Sequence, residues 1–265
     1  MRNTALELDA STRRGGPGVG VMVSAALLLL AIAGWLWSAR MASDMGSVGT
    51  GHMDDIPSMG AAMSLGGFVV AWVAMMAAMM LPAILPVVKL YARAAARGRA
   101  APTAFFVLGY VAVWAAMAGP AYLGWRAIEE PLAQGEAWVA RVAAATFFAA
   151  AVWQVTPLKR MCLRHCRSPL GFFLRFGGGI HQKRGAVRMG VFHGAFCLGC
   201  CWALFAVLVV LGTMNLLWMA LLTAVIVLEK NAPRGEAIAV GTAAAFAAIG
   251  VVLLADPSVL VHITN

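Results

Sequence analysis

Seven apolar runs limit how this chain of 265 residues can fold. They lie at 19–39, 64–90, 102–125, 137–157, 186–211, 215–228 and 237–255. A transmembrane helix needs roughly 17 to 25 mainly apolar residues, and in lipid a helix satisfies its own backbone hydrogen bonds. The sixth run is short and closely follows the fifth, which predicts a tight helical hairpin. We therefore predict an all-α, polytopic transmembrane helix bundle of about seven spans.

Composition agrees with a membrane protein and excludes the main soluble classes. Hydrophobic residues make up 62% of the chain, charged residues make up 12%, and the mean hydropathy is +0.83. A soluble enzyme, a disordered protein and a disulfide-stapled secreted domain all lie outside this range.

The basic residues predict an orientation. The net charge is +9, and when the loops are assigned alternately to the two sides, all but three of the 20 Lys and Arg fall on one side. By the positive-inside rule, that side is cytoplasmic and the C-terminus is outside, which places the chain in an inner membrane. The basic surplus then indicates contact with anionic membrane lipid and does not indicate nucleic acid.

These spans predict one bundle with terminal extensions. We assign 1–18 to a cytoplasmic tail and 19–63 to the first transmembrane helix with a Met-rich exterior loop. The single bundle covers 64–255, with a basic cytoplasmic loop at 159–186, and 256–265 forms an exterior tail. Six spans result if the first helix is cleaved as a signal peptide.

The fifth span carries the most informative group of side chains. On a helix, His193, Cys197 and Cys200 fall within roughly 60° of one another, with Cys201 at one edge. Thiolates are soft ligands that favour Cu(I), Zn and Fe–S centres, and imidazole suits Zn and Cu. Together, these four residues predict a metal or redox site, although buried thiols also serve as ordinary packing groups.

The second span carries two pairs of methionines. Their sulfur atoms share about 140° of the helix surface, and thioethers suit Cu(I) but not Zn, Mg or Ca. Counting residues from each end places this stripe and the cysteines near the bilayer centre. Ordinary helix packing is the alternative for these residues. The stripe consists of Met75, Met76, Met79 and Met80.

Two further groups of soft ligands lie nearer the membrane faces. Cys162, His165 and Cys166 follow the fourth span, where neighbouring cations are expected to lower the thiol pKa values. Reduced interfacial thiols or palmitoylated ones are the alternative. His52 and Met53 lie in the exterior Met-rich loop. The spacing of its methionines is similar to that in the collecting segments of copper importers, and a mobile loop without a binding role is the alternative.

Several blocks resemble a bacterial family. They include Leu-Lys-Arg-Met-Cys-Leu-Arg-His-Cys at 158–166, Cys-Leu-Gly-Cys-Cys-Trp at 197–202, Glu229-Lys230, and the stretches 72–86 and 214–219. The family is a domain of unknown function described as predicted metal-binding integral membrane proteins. This resemblance covers about 64–230 and implies a helical membrane fold and metal binding. The ligands that it implies are Cys162, Cys166, His193, Cys197, Cys200 and Cys201.

The patterns together predict a protein that binds and moves or delivers a soft metal ion, with Cu(I) favoured and zinc as the alternative. It would act as a conduit, a metallochaperone or a cuproenzyme-assembly factor, and its partners would be a cuproenzyme or a copper chaperone, or a second copy of the chain. No nucleotide-binding motif is visible, and the predicted spans contain no Asp or Glu at depth. A thiol-disulfide or quinone-linked oxidoreductase and a bundle braced by a structural Zn site stay open as alternatives.

Overall fold

The computed structural model describes residues 17–48, 64–134, 136–211 and 215–264. These ranges form helices and turns without a strand, which confirms the predicted all-helical class. The helices are α1 (Pro17–Val48), α2 (Leu65–Met80), α3 (Leu85–Ala96), α4 (Thr103–Ala116), α5 (Ala118–Ala133), α6 (Ala137–Val155), α7 (Pro157–Arg167), α8 (Pro169–Phe176), α9 (Lys183–Val210), α10 (Leu216–Asn231), α11 (Gly235–Ala255) and α12 (Val259–Thr264).

Five helical stretches in the described ranges are long and apolar enough to cross a membrane. They are Gly18–Ser43, Thr103–Leu132, Trp138–Val155, Lys183–Val210 and Gly235–Ala255. A sixth is obtained if α2 and the segment that follows it count as one bent span. The predicted sixth span corresponds to α10, which has only 16 residues. Several helices are thus compatible with a multi-pass membrane protein.

The predicted span at 64–90 is broken near its middle. Helix α2 ends at Met80, a 3-10 turn covers Pro82–Ile84, and the chain continues in α3 at an angle of 42°. Proline causes the break because it lacks a backbone N–H and its ring clashes with the preceding turn. Met80 consequently lies at the end of a helix, in the interior of the protein.

Helix α9 lies at the centre and packs most closely against α4. A methyl group on Gly109 of α4 would overlap the backbone of Val187, and one on Gly190 of α9 would overlap the carbonyl oxygen of Phe106. Small residues at both positions therefore let the two backbones come close together. This contact brings the side chain of Tyr110 next to the cysteines of α9.

Most of the segment predicted as a basic loop, 159–186, is helical. Helix α7 starts with Pro157 in its first turn, and the Thr156 hydroxyl accepts a hydrogen bond from the Lys159 N–H. Helices α7 and α8 then pack against the first half of α9, where the Phe172 ring lies 4.9 Å from the His193 ring. The turn that follows contains Gly179 in the left-handed region, with φ of 76°.

Candidate metal centre

Three cysteine thiols form a buried cluster on one side of α9. Cys197, Cys200 and Cys201 are free thiols and at most 1% exposed. The Cys200 and Cys201 sulfur atoms lie 3.3 Å apart, and the Cys200 thiol donates to the Cys197 carbonyl oxygen at 3.1 Å. Adjacent residues diverge by about 100° around a helix. Rotation about their side-chain bonds nevertheless brings the two sulfur atoms together.

Two neutral side chains from neighbouring helices complete one side of the cluster. The Cys197 sulfur lies 3.0 Å from the Tyr110 hydroxyl of α4 and 4.0 Å from the Met80 sulfur of α2. Both of these side chains are buried. The break after Met80 therefore places a thioether against a thiol that is distant in sequence.

A lysine on α10 is the charged neighbour of Cys197. The Lys230 ammonium donates to the Cys197 sulfur at 2.8 Å, and Lys230 is only 6% exposed. The expected contact with anionic lipid is wrong for this residue, because Lys230 lies in the last turn of α10 and points into the protein.

A buried ion pair lies beside this lysine. Lys159 of α7 donates to one carboxylate oxygen of Glu229 at 2.7 Å, and Gln154 of α6 donates to the other at 2.9 Å. All three side chains are at most 2% exposed. The sequence placed Lys159 in the basic cytoplasmic loop and Glu229 just beyond the sixth predicted span. The structure buries both side chains, and each charge is neutralised by a partner far along the chain.

Arg167 fixes α7 to the end of α10. Its guanidinium donates to the backbone carbonyl oxygens of Glu229, Ala232 and Pro233 at 3.1, 2.7 and 3.0 Å. The last carbonyl groups of a helix have no partner within it, so an arginine satisfies them well. Because Arg167 follows Cys166 in the chain, this anchor also holds α7 beside the thiols.

The three predicted ligands on α7 do not form a separate group. Cys166 is buried and its thiol interacts with Cys200, so it extends the α9 cluster. Cys162 is half-buried and contacts Gly199, where an added methyl group would lie 2.8 Å from its sulfur. His165 is stacked on the Phe196 ring at 4.3 Å, and its Nδ1 lies 2.9 Å from the Met161 carbonyl oxygen.

The expected effect of neighbouring cations on Cys162 is also wrong. Burial raises the pKa of the Cys162 thiol above its usual value. The nearby cations have other partners, since Arg160 donates to the Val155 carbonyl oxygen and Arg164 pairs with Glu236. The Cys162 thiol is therefore less acidic than an ordinary cysteine side chain.

His193 lies one helical turn from Cys197 in an aromatic environment. The rings of Phe106, Tyr110 and Phe172 surround its imidazole at 4.9–6.0 Å between centroids. His193 is 1% exposed, and its Nδ1 has no hydrogen-bond partner among the residues that the structure describes. A ligand role for His193 stays a prediction.

The other predicted ligands divide into two groups. Met75, Met76 and Met79 are buried in the core on the helix that ends with Met80. Whether they bind metal stays a prediction. His52 and Met53 lie outside the described residues.

The donor atoms of the cluster fit a soft ion of low coordination number. Within the described ranges, no three or more His, Cys, Asp or Glu side chains form a group that could hold a metal. Cu(I) needs no such cage, because two thiolates and a nearby thioether are sufficient soft ligands. Mg and Ca would need several oxygen ligands, and the sulfur atoms of Cys197, Cys200, Cys201 and Met80 provide none.

The fold and cluster thus define a helical protein with buried sulfur atoms that could hold a soft metal ion. A family model agrees with this class. Residues 69–253 match the family PpoB2, described as copper chaperone, and the chain belongs to that family. Its role is therefore related to copper, the metal that the sequence favoured. Searches among curated proteins and among solved structures found no match.

Sequence reasoning missed the polar half of the site. Tyr110, Gln154, Lys159, Glu229 and Lys230 surround or support the thiols, but none was among the predicted ligands. The available signal was the Glu229-Lys230 pair, which lies at the end of an apolar run. Adjacent residues point in different directions on a helix, so one such pair can contact two separate sets of partners.

Proposed function

We propose that this chain is a multi-pass membrane copper chaperone that binds Cu(I) at the thiols of α9 and transfers it by sulfur-to-sulfur exchange. The observation that carries this proposal is the contact of Cys197 with Met80, beside the close Cys200 and Cys201 sulfur atoms. Family membership supplies the metal, and the sulfur chemistry favours its monovalent form.

The arrangement of thiols supports transfer toward the face at which α7 lies. The Cys200 thiol interacts with those of Cys197 and Cys166, and the half-buried Cys162, one helical turn before Cys166, lies against Gly199 of α9. A soft ion can pass between such neighbours while it stays bound to sulfur at each step. Large movements of the helices are not required for that exchange.

The opposite end of the methionine stripe is closed by aromatic rings. Phe68 packs against Trp72, Tyr122 and Trp125, with ring centroids 5.2–6.0 Å apart. Phe68 and Trp72 lie on α2, ahead of Met75 along the helix, and both are at most 3% exposed. This packing favours exchange through the cysteine end over passage through the whole protein, and therefore a chaperone over an open conduit.

We further propose that the α7 end faces the cytoplasm of a bacterium, as the positive-inside rule predicts. Arg160, Arg164 and Arg175 are exposed on α7 and α8 at this end. The protein would pass copper between a carrier on that side and an enzyme that requires the metal. Such an enzyme or a second copper chaperone would dock next to Cys162.

Metal content of the purified protein tests this proposal. The chain would be purified in detergent under reducing, anaerobic conditions, supplied with Cu(I), washed, and analysed for copper, zinc and iron. We expect about one Cu per chain in the wild type and a loss of most of it in Cys197→Ser/Cys200→Ser.

A matched pair of methionine variants tests the thioether separately. Met80→Leu should weaken copper retention, whereas Met219→Leu removes an equally buried sulfur on α10 and should retain it. Absence of copper in the wild type would contradict the proposal. Zinc alone, bound in its place, would instead support a structural zinc site.

A further inference from the structure

The charge of Lys230 is the feature of the cluster that copper binding by sulfur alone leaves unexplained. The ammonium is almost fully buried, and its sulfur partner is 2.8 Å away. A buried charge is costly unless it has a partner of opposite charge. The identity of that partner depends on the groups around Lys230.

The neighbouring carboxylate is already neutralised. Glu229 receives a hydrogen bond on each carboxylate oxygen, from Lys159 and from Gln154. Lys159 and Glu229 therefore cancel one another's charge. Tyr110 also contacts the cluster, but its phenol group is neutral and contributes no charge. Lys230 consequently adds one positive charge to the thiol cluster.

A copper–dithiolate complex has the charge that matches this lysine. Thiols bind metal as thiolates after losing their protons, so two of them contribute two negative charges. One Cu(I) ion leaves a net charge of minus one on the complex. In an apolar interior such an anion needs a cation at short range, and Lys230 is already in contact with Cys197.

We propose that Lys230 is the fixed counter-charge of a Cu(I)–dithiolate complex that includes Cys197, and that it favours monovalent over divalent ions in two-thiolate coordination. This inference rests on the proposed function, since it assumes that Cys197 binds copper. Lys230 does not coordinate the metal. It positions the Cys197 sulfur and stabilises the charge of the loaded site.

Mercury(II) provides a probe that separates charge from geometry. Like Cu(I), it is soft and takes two thiolate ligands, but the resulting complex is neutral. The affinities of the purified full-length protein for Cu(I) and for Hg(II) would each be measured by competition with a soluble thiol chelator. Wild type, Lys230→Met, Lys230→Gln and Lys230→Arg would be compared, with the exposed Lys183→Met as the matched control.

We expect Lys230→Met to weaken Cu(I) binding on the order of 100- to 1,000-fold, the cost of an uncompensated buried charge. Hg(II) binding should change by less than about tenfold, because its neutral complex needs no counter-ion. Lys230→Arg should restore Cu(I) binding to within about tenfold of the wild type, and Lys183→Met should resemble the wild type.

Two results would overturn the assignment of Lys230. One is unchanged Cu(I) affinity in both neutral variants, and the other is an equal loss for both metals, which would indicate structural support alone. If Lys230→Met does not fold, the ratio of the two affinities in Lys230→Gln gives the same test. Failure of the wild type to bind Cu(I) would defeat the proposed function itself, and is thus distinct from a failure confined to Lys230.

Discussion

Glu229→Gln should destabilise the protein strongly because it leaves a lysine charge buried without its partner. The Lys159 ammonium lies 2.7 Å from the carboxylate, and both side chains are 1% exposed. Breaking a buried pair by removal of one partner costs about 3–5 kcal/mol. For a domain of this size, that corresponds to a Tm lower by roughly 6–20 °C.

An exposed ion pair between α7 and α11 provides the control. Arg164 and Glu236 lie 3.7 Å apart with side chains 75% and 53% exposed. Glu236→Gln should therefore cost about 0–1 kcal/mol. Unfolding would be followed in detergent by circular dichroism, with heat or denaturant, for both variants and the wild type.

A double variant separates charge from shape. Lys159→Met/Glu229→Leu removes both charges while it keeps apolar volume, and should recover most of the stability, since such replacements are often neutral or stabilising. Our reasoning about this pair is refuted if Glu229→Gln costs no more than Glu236→Gln. It is equally refuted if the double variant is as unstable as Glu229→Gln.

Three further predictions concern packing, reactivity and anchoring. Gly190→Val should separate α4 from α9 at Phe106 and cost about 2 kcal/mol or more in unfolding experiments, whereas Gly241→Ala, with open space around it, should be neutral or stabilising. Maleimide labelling of Cys162, measured by mass spectrometry, should be slower than that of a free cysteine at pH 7, because the pKa of the Cys162 thiol is raised. The labelling rate should increase as the pH rises, and a rate independent of pH would contradict this prediction. Arg167→Lys should lower the free energy of unfolding by about 1–3 kcal/mol and increase proteolysis after α10, since a lysine cannot contact three carbonyl groups at once. Proteolysis of the variant at the wild-type rate would contradict this prediction.

The helical class could be predicted because it depends on local composition. Long apolar runs can satisfy their backbone groups only as helices in lipid, and the described ranges are helical wherever those runs occur. The break after Met80 was also visible in principle, since Pro82 and Pro86 follow it. The helical character of the α7 region was harder to predict, because its many arginines are also typical of a loop.

The polar contacts of the site could not be predicted, because they join residues that are distant in sequence. Lys159 and Glu229 are 70 positions apart, and Cys197 and Lys230 are 33 apart. When each charged residue is considered alone, its hydropathy assigns it to the protein surface. Only the packing of α7 and α10 against α9 shows that they are buried together.

X-ray absorption at the copper edge, on protein loaded anaerobically with one equivalent of Cu(I), would test the sulfur site most directly. We expect a first coordination shell dominated by about two or three sulfur atoms, from the Cys197 group and Met80. Loss of this shell in Cys197→Ser/Cys200→Ser would assign it to α9. A shell dominated by nitrogen or oxygen would contradict the sulfur site and favour imidazole ligands such as His193.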